Sequence, residues 1–183
     1  MAQQFIKIES SQPQPNFVTQ CMDPDITGLY SFAIADVLGV VAATNYASLF
    51  NPVGSGKTLH IYALTYSVYI TSAGATTKSS MIVSRANTIA AGTLQAASAI
   101  NKFNTTFPNS VAEVRTANPT AVLDGAVIGF PPGTIPGAYF GDRITASSPG
   151  GSITLLPGEG IVWRDSAGNV NDNFNISFTW SET

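Results

Sequence analysis

Large apolar residues alternate with small or polar residues along several stretches of this chain. Such a period of two is typical of a β-strand that buries one face, because successive side chains of a strand point to opposite sides. The longest stretch runs from Thr58 to Thr71. Its predicted buried face consists of Tyr62, Leu64, Tyr66, Val68 and Ile70.

Similar patterns predict further strands. Residues 30–35 alternate, and so do residues 174–180, whose large apolar members are Phe174, Ile176, Phe178 and Trp180. Shorter apolar runs predict strands at 81–85, 126–130, 152–156 and 160–164. Turn sequences rich in Gly, Pro and Asn separate these runs at 131–133, 148–151, 156–160 and 166–169.

Many short strands with Gly and Pro between them favour an antiparallel sandwich, barrel or jelly roll. We predict an all-β fold, an antiparallel β-sandwich of jelly-roll type, with residues 29–183 as a single domain. The length of 183 residues suits one such domain. One helix is considered, over the alanine-rich segment from Ile89 to Ile100, although Gly92 and Thr93 interrupt it.

An extended N-terminal arm is predicted for residues 1–28. Pro13 and Pro15, with polar neighbours, disfavour both a helix and a central strand. Arms of this kind often lie across a neighbouring subunit. A frayed chain end is an equally good interpretation.

Charged residues are scarce. They make up 10% of the chain, against about a quarter in an average soluble domain. A surface with so little charge suggests that neighbouring subunits cover much of it. The eight Lys and Arg residues are scattered singly and the net charge is −3, so direct binding to DNA or RNA is not expected.

The N-terminal sequence has neither the basic start nor the long apolar run of a secretory signal. The most apolar stretch, residues 32–41, contains Asp36 and is too short to cross a membrane. We therefore expect synthesis in a cytoplasm and no membrane partner. Cys21 is the single cysteine, so no disulfide within the chain is possible, and a small buried side chain is the favoured interpretation.

The segment Gly54-Ser55-Gly56-Lys57-Thr58 is similar to the end of a nucleotide-binding P-loop. Two features argue against that function. The required first glycine is replaced by Asn51, and Pro52 removes a backbone N–H from the loop. A P-loop also leads into a helix, whereas the residues after Lys57 alternate as a strand. We interpret the segment as a turn that enters the long strand.

Other candidate residues lack the partners that chemistry requires. His60 is the one histidine, and a packed or exposed strand residue is favoured. Asp23 and Asp25 do not complete a calcium loop. The donors Asn169, Asn171, Asp172 and Asn173 are interpreted as a hairpin connection in preference to a cation site. We therefore predict no catalytic, cofactor-binding or metal site, and no enzyme activity.

Two sequences match glycosylation acceptors, at Asn104 and Asn175, and we expect both to be unmodified because no secretory signal accompanies them. Exposed aromatic residues can stack on sugars. Trp163 and the pair Tyr139-Phe140 are the candidates, although core packing is the commoner fate of such residues.

Three segments resemble a group of bacteriophage virion proteins that carry an Asn-Pro-x-Gly-Ser-Gly-Lys turn before a strand. They are residues 51–59, residues 110–116, and the closing run from Leu155-Leu156-Pro157-Gly158-Glu159-Gly160-Ile161 to Phe178-Thr179-Trp180-Ser181-Glu182. The likeness covers roughly residues 45–183. It implies a virion component with a β-sandwich or jelly-roll fold, either a capsid cement or decoration protein or else a tail or capsid subunit.

The sequence therefore favours a structural subunit of a phage particle. Its expected partners are other copies of itself, with a trimer favoured, and other virion proteins. The main alternative is a carbohydrate- or receptor-binding β-module of a tail. A small hydrolase on a β-scaffold is the weakest hypothesis, since no nucleophile has an identifiable base.

Overall fold

Strands make up most of the described chain. The computed structural model describes residues 28–40, 43–70, 76–79, 81–129, 133–136, 140–145, 153–165, 170 and 172–183. The predicted N-terminal arm therefore lies outside the described residues, apart from Gly28, which begins the first strand.

Fourteen strands are found in the described residues. They are β1 Gly28–Leu38, β2 Thr44–Phe50, β3 Leu59–Ile70, β4 Thr76–Ser79, β5 Met81–Ala90, β6 Thr93–Leu94, β7 Asn101–Lys102, β8 Glu113–Thr116, β9 Thr120–Gly129, β10 Gly133–Pro136, β11 Phe140–Thr145, β12 Ile153–Leu155, β13 Gly160–Asp165 and β14 Asp172–Glu182. Every predicted strand overlaps one of them. All pairings between strands are antiparallel.

The strands form two main sheets with the strand order of a jelly roll. The first sheet has the order β11-β3-β14-β1-β7, with β12 also on β3, and the second has the order β6-β8-β2-β13-β5-β9. A separate pair joins β10 to β4. Counting only strands of six residues or more gives eight, and their orders are 6-3-8-1 in one sheet and 2-7-4-5 in the other. The predicted all-β sandwich of jelly-roll type is confirmed.

One hydrophobic core lies between the two main sheets, because each sheet turns its large apolar side chains to the other. The predicted buried face of β14 is confirmed, since Phe174, Ile176, Phe178 and Trp180 are all buried. Tyr30 and Phe32 of β1 are buried too. Aromatic pairs join the sheets: Tyr46 contacts Phe174, and Tyr66 contacts Trp163 at a ring separation of 5.5 Å.

The predicted burial of one face of β3 is confirmed at Leu64, Tyr66 and Val68 and is wrong at Tyr62. Leu64, Tyr66 and Val68 are buried, but Tyr62 is 37% exposed. The cause is a β-bulge: Ala63 pairs with Thr179 and Ile61 pairs with Trp180, so Tyr62 is an extra residue on this strand. The bulge shifts the alternation, and Ile61 takes the inward position.

The helix considered over residues 89–100 is wrong. Strand β5 continues to Ala90, and Ala91 and Gly92 both have positive φ angles, which end the strand in a turn and are incompatible with a right-handed helix. A single 3-10 turn, Ala97–Ala99, follows β6. The segment 91–119 then lies along one edge of the sandwich, because β7 pairs with β1 and β8 pairs with β2.

Candidate functional site

Asn51 connects the turn that precedes β3 to the turn that precedes β13. Its backbone N–H donates to the carbonyl of Glu159 at 2.9 Å, and its carbonyl accepts from the N–H of Gly158 at 2.8 Å. Its fully buried side chain donates from Nδ2 to the carbonyls of Lys57 at 2.8 Å and Leu155 at 3.0 Å. Residues 51–58 and 155–160 therefore form one unit, which we name the Asn51 clasp.

The loop inside this clasp is closed by its own side chains. Ser55 donates from Oγ to Oδ1 of Asn51 at 2.7 Å, and its N–H donates to the carbonyl of Pro52. Strand β3 begins at Leu59, directly after Lys57 and Thr58. The interpretation of this segment as a turn that enters a strand is confirmed, and the helix that a phosphate-binding loop requires is replaced by β3.

Two glycines of the second segment are required by the geometry of the Asn51 clasp. Gly158 has a φ of 91°, which favours glycine. A Cβ on Gly160 would lie 2.7 Å from Ile89 Cδ1 and 2.9 Å from the carbonyl oxygen of Leu49. The first glycine of Leu-Pro-Gly-Glu-Gly is thus explained by its backbone conformation, and the second by close packing against β2 and β5.

The tip of the Asn51 clasp presents apolar side chains to solvent. Val53 is 83% exposed and Leu156 is 53% exposed. Charged side chains lie near this tip. Arg85 donates to the carbonyl of Thr154 at 3.0 Å, and its guanidinium lies 3.6 Å from the carboxylate of Glu159. The clasp therefore holds an apolar projection in a fixed position.

Glu182 connects residues 110–112 to the end of β14. Its buried carboxylate accepts from Ser110 Oγ at 2.5 Å and from the N–H of Val111 at 3.0 Å. The N–H of Ala112 then donates to Ser110 Oγ at 3.0 Å. We name residues 108–112 and 180–183 the Glu182 clasp. Both clasps lie at the same end of the sandwich, since Thr58 and Thr183 exchange two backbone hydrogen bonds.

Tyr30 completes the Glu182 clasp. Its ring is buried against Trp180, with 5.8 Å between the ring centroids, and its hydroxyl donates to the carbonyl of Pro108 at 3.1 Å. Burial, and then the nearby negative charge of Glu182, raise the pKa of Tyr30 to about 12.

This raised pKa predicts a loss of stability in strong alkali. An unfolded tyrosine ionises near pH 10, so between pH 10 and 12 the unfolded state releases a proton that the folded state retains. The stabilisation from Tyr30 is complete below pH 10 and falls by about 2–3 kcal/mol up to pH 12. Urea unfolding across this range measures it. The Tyr30→Phe variant should show a shallower decline, and an unchanged decline would contradict the assignment.

A third set of polar side chains lies on the outer face of the first sheet, at the end away from the clasps. Register places Tyr69 beside Asn173, and Asn173 beside Leu38. The next row holds Ser67 and Asn175, followed by Asp36. We name the six residues Asp36, Leu38, Ser67, Tyr69, Asn173 and Asn175 the outer patch.

Hydrogen bonds connect the polar members of the outer patch across three strands. Tyr69 donates from its hydroxyl to Asp36 Oδ1 at 2.6 Å, and Asn173 donates from Nδ2 to that hydroxyl at 2.6 Å. Asn175 accepts from the N–H of Asp36 at 3.0 Å and donates to Ser67 Oγ at 3.1 Å. The bond to Asp36 is the main cause that raises the pKa of Tyr69.

A β-bulge in β1 positions Asp36. Ile34 pairs with Ile176 and Val37 pairs with Phe174, so two residues of β1 oppose Asn175 alone. Asp36 has a φ of 57° there, a conformation that Asp and Asn adopt more readily than most residues. The bulge turns its carboxylate toward Tyr69.

The candidate residues from the sequence fall in several places. His60 contacts Thr183 Oγ1 at 3.2 Å, and Trp163 is buried, which rules it out as an exposed sugar-stacking residue. Asn104 accepts from Thr106 within its own turn. Asp172 and Asn173 begin β14, and Asn175 belongs to the outer patch. Outside the described residues lie Cys21, Asp23, Asp25, Asn169, Asn171 and Tyr139.

Neither a metal-binding group nor a membrane-spanning helix is found in the described residues. No group of three or more His, Cys, Asp or Glu side chains there is arranged to hold a metal ion. No described helix has the length and apolar character needed to pass through a membrane.

Sequence reasoning missed Asn51 and Glu182 as central residues, and it missed the outer patch. Asn51 was noted only because a P-loop requires glycine there. The partners of these residues are remote, 104 positions away for Leu155 and 72 for Ser110. The sequence signal that existed was their presence inside the segments of the resemblance.

Comparison of the chain with protein-family models, with curated proteins and with solved structures gives no match.

Proposed function

We propose that this chain is a structural subunit of a bacteriophage particle, a capsid cement or decoration protein that assembles through contacts with other copies and with other virion proteins. The proposal makes it a homo-oligomer, with a trimer favoured, located in the virion. A tail or capsid subunit is the nearest alternative position in the particle.

The observation that carries the proposal is how the resembling segments are used. The sequences shared with virion proteins meet pairwise in the Asn51 clasp and the Glu182 clasp, where they join loops and a chain end to the sheets. Their roles are structural, so a likeness in these segments supports a shared framework. That framework has the jelly-roll strand order, which viral capsid proteins use, as lectins and cupins also do.

The surface chemistry also supports a subunit that its neighbours cover. Strands β1, β3 and β14 form the centre of the first sheet and contain no Lys or Arg. Their outer face carries small polar pairs such as Thr65 with Ser177, whose hydroxyls are hydrogen bonded to each other. Apart from the outer patch, which contains the carboxylate of Asp36, this face can be buried against a protein with little cost of desolvating charge.

The protein content of the phage particle tests the proposed function. Phage particles purified through two density gradients from the lysate that contains the chain should carry it at a fixed stoichiometry of at least tens of copies. Quantitative mass spectrometry against an isotope-labelled standard measures that ratio. If the chain stays in the soluble fraction while the particles band without it, the proposed function is wrong.

The exposed apolar tip of the Asn51 clasp predicts one of the subunit contacts. Light scattering after gel filtration should give about three times the 19.1 kDa chain mass at micromolar concentration. Placing a charge on the tip, as Val53→Asp with Leu156→Asp, should weaken association at least about tenfold, because a buried unpaired carboxylate is costly. At a dilution where both proteins are monomeric, the midpoint of urea unfolding should be the same for variant and parent, since both side chains are exposed and association no longer contributes to stability.

The matched control carries Asp on another exposed apolar side chain, at Val122. If the tip variant and the parent associate with equal affinity, the tip is not part of the subunit interface. A strictly monomeric parent would contradict the proposed assembly.

A further inference from the structure

We propose that the outer patch binds a neutral oligosaccharide, with Tyr69 contacting the C–H face of one sugar ring, Leu38 contacting a second sugar unit and Asp36 bonding hydroxyl groups. This inference goes beyond the structural function and does not depend on it.

The apolar part of the outer patch comes from one row of the sheet. Tyr69 and Leu38 stand on either side of Asn173, and Leu38 is 63% exposed. The half-buried ring of Tyr69 offers an apolar surface for the C–H groups of one pyranose ring. Leu38 lies two strands away, roughly 10 Å across the sheet, at a distance that suits the next sugar unit of an oligosaccharide.

The hydrogen-bonding part of the outer patch has capacity left after its internal bonds are counted. Tyr69 occupies Oδ1 of Asp36, while the second oxygen of this exposed carboxylate makes no hydrogen bond to the described residues. The free oxygen can therefore accept a hydrogen bond from a ligand hydroxyl, and hydrogen bonds to a charged acceptor are stronger than those to a neutral one.

The backbone of the outer patch is fixed before any ligand arrives. The β1 bulge sets Asp36 at a φ of 57°, and the bond from its N–H to Asn175 holds it there. Residues kept in sparsely populated conformations concentrate at binding sites, and so do bulges. Preorganisation of this type lowers the entropic cost of binding.

The chemistry of the outer patch favours a neutral saccharide over charged ligands. Asp36 is its one carboxylate, whereas Ca²⁺ takes six to eight oxygen ligands and usually several carboxylates. The same negative charge opposes acidic sugars and phosphates. Vicinal hydroxyls, in contrast, suit a carboxylate next to amides, because both can accept and the amides also donate.

The test is direct binding of neutral oligosaccharides to the purified chain, by glycan array and then by saturation-transfer NMR. At least one neutral glycan should bind with saturable affinity. Tyr69→Ala and Asp36→Gly should each weaken it at least about tenfold, and glycine accepts the positive φ at position 36 without strain. Tyr62→Ala is the matched control, an exposed tyrosine of the same strand outside the outer patch, and it should leave affinity unchanged.

Three results would overturn the inference: no neutral glycan bound, binding only of acidic glycans, or equal affinity in the parent and both patch variants. Self-association that the patch variants abolish, without glycan binding, would also overturn it and assign the face to a second copy. Because the experiment uses the purified chain, its failure leaves the particle content unaffected.

Discussion

Replacing Asn51 with alanine is expected to lower the free energy of unfolding by about 3–4 kcal/mol. The substitution removes three side-chain hydrogen bonds and leaves the buried carbonyl of Leu155 without the Asn51 donor, whereas the carbonyl of Lys57 keeps Ser55 Oγ at 3.4 Å. An orphaned buried acceptor costs about 1–3 kcal/mol, and each of the other lost hydrogen bonds costs about 1 kcal/mol. Urea unfolding followed by tryptophan fluorescence measures the change, since Trp163 and Trp180 are both buried.

Two further variants sharpen this prediction. Asn51→Asp preserves shape and the acceptor for Ser55, but it turns an oxygen toward the two carbonyls, so it should cost at least as much as alanine. Ser55→Ala removes one of the three Asn51 bonds together with two longer bonds between Ser55 Oγ and the backbone of Lys57, and it should cost about 1–2 kcal/mol. A loss below 1 kcal/mol for Asn51→Ala would mean that the Asn51 clasp does not hold the loop.

Replacing Glu182 with alanine is expected to lower the free energy of unfolding by about 3 kcal/mol. The carboxylate accepts from Ser110 Oγ and the N–H of Val111, and hydrogen bonds to a charged acceptor are stronger than neutral ones. Without it, residues 108–112 lose their attachment to β14. Glu182→Gln retains an acceptor oxygen and should lose only about 1 kcal/mol.

A double-mutant cycle isolates the contact within the Glu182 clasp. Ser110→Ala and Glu182→Ala should show a coupling energy of about 1–2 kcal/mol, because each removes the partner of the other. Additive losses would indicate that Glu182 stabilises β14 by another route. Hydrogen exchange should then show no change at the Val111 amide.

The clearest alternation in the sequence belongs to strands with one buried face. Strand β14 has no bulge between its large apolar side chains, so every second residue is buried and the period of two can be recognised in the sequence. These side chains are Phe174, Ile176, Phe178 and Trp180. Strand β2 was missed because Tyr46, Ala47, Ser48 and Leu49 are buried in succession, and a shift in its pairing with β13 breaks the alternation.

Bulges limited the rest of the prediction. An extra residue in a strand changes neither the composition nor the hydrophobicity of the segment. The alternation therefore predicted an inward side chain for Tyr62, and Asp36 was interpreted only as an interruption of an apolar run. In the second case the bulge creates the outer patch, whose members come from three separate strands. Pairings between distant strands set such a site, and no local pattern encodes them.

Contacts inside the chain explain why Asn51, Gly160 and Glu182 stand at their positions. Val53 and Leu156, at the tip that we propose as a subunit contact, are exposed and carry no such internal role. Substitution of these two side chains is therefore expected to leave the fold intact.

Imaging the phage particle by electron cryomicroscopy at side-chain resolution tests the proposed function most directly. Density for the two-sheet jelly roll, with the Asn51 clasp and the Glu182 clasp at one end, should recur at symmetry-related positions in contact with neighbouring subunits. A particle whose density is fully explained by other chains would contradict the assignment of this protein to the virion.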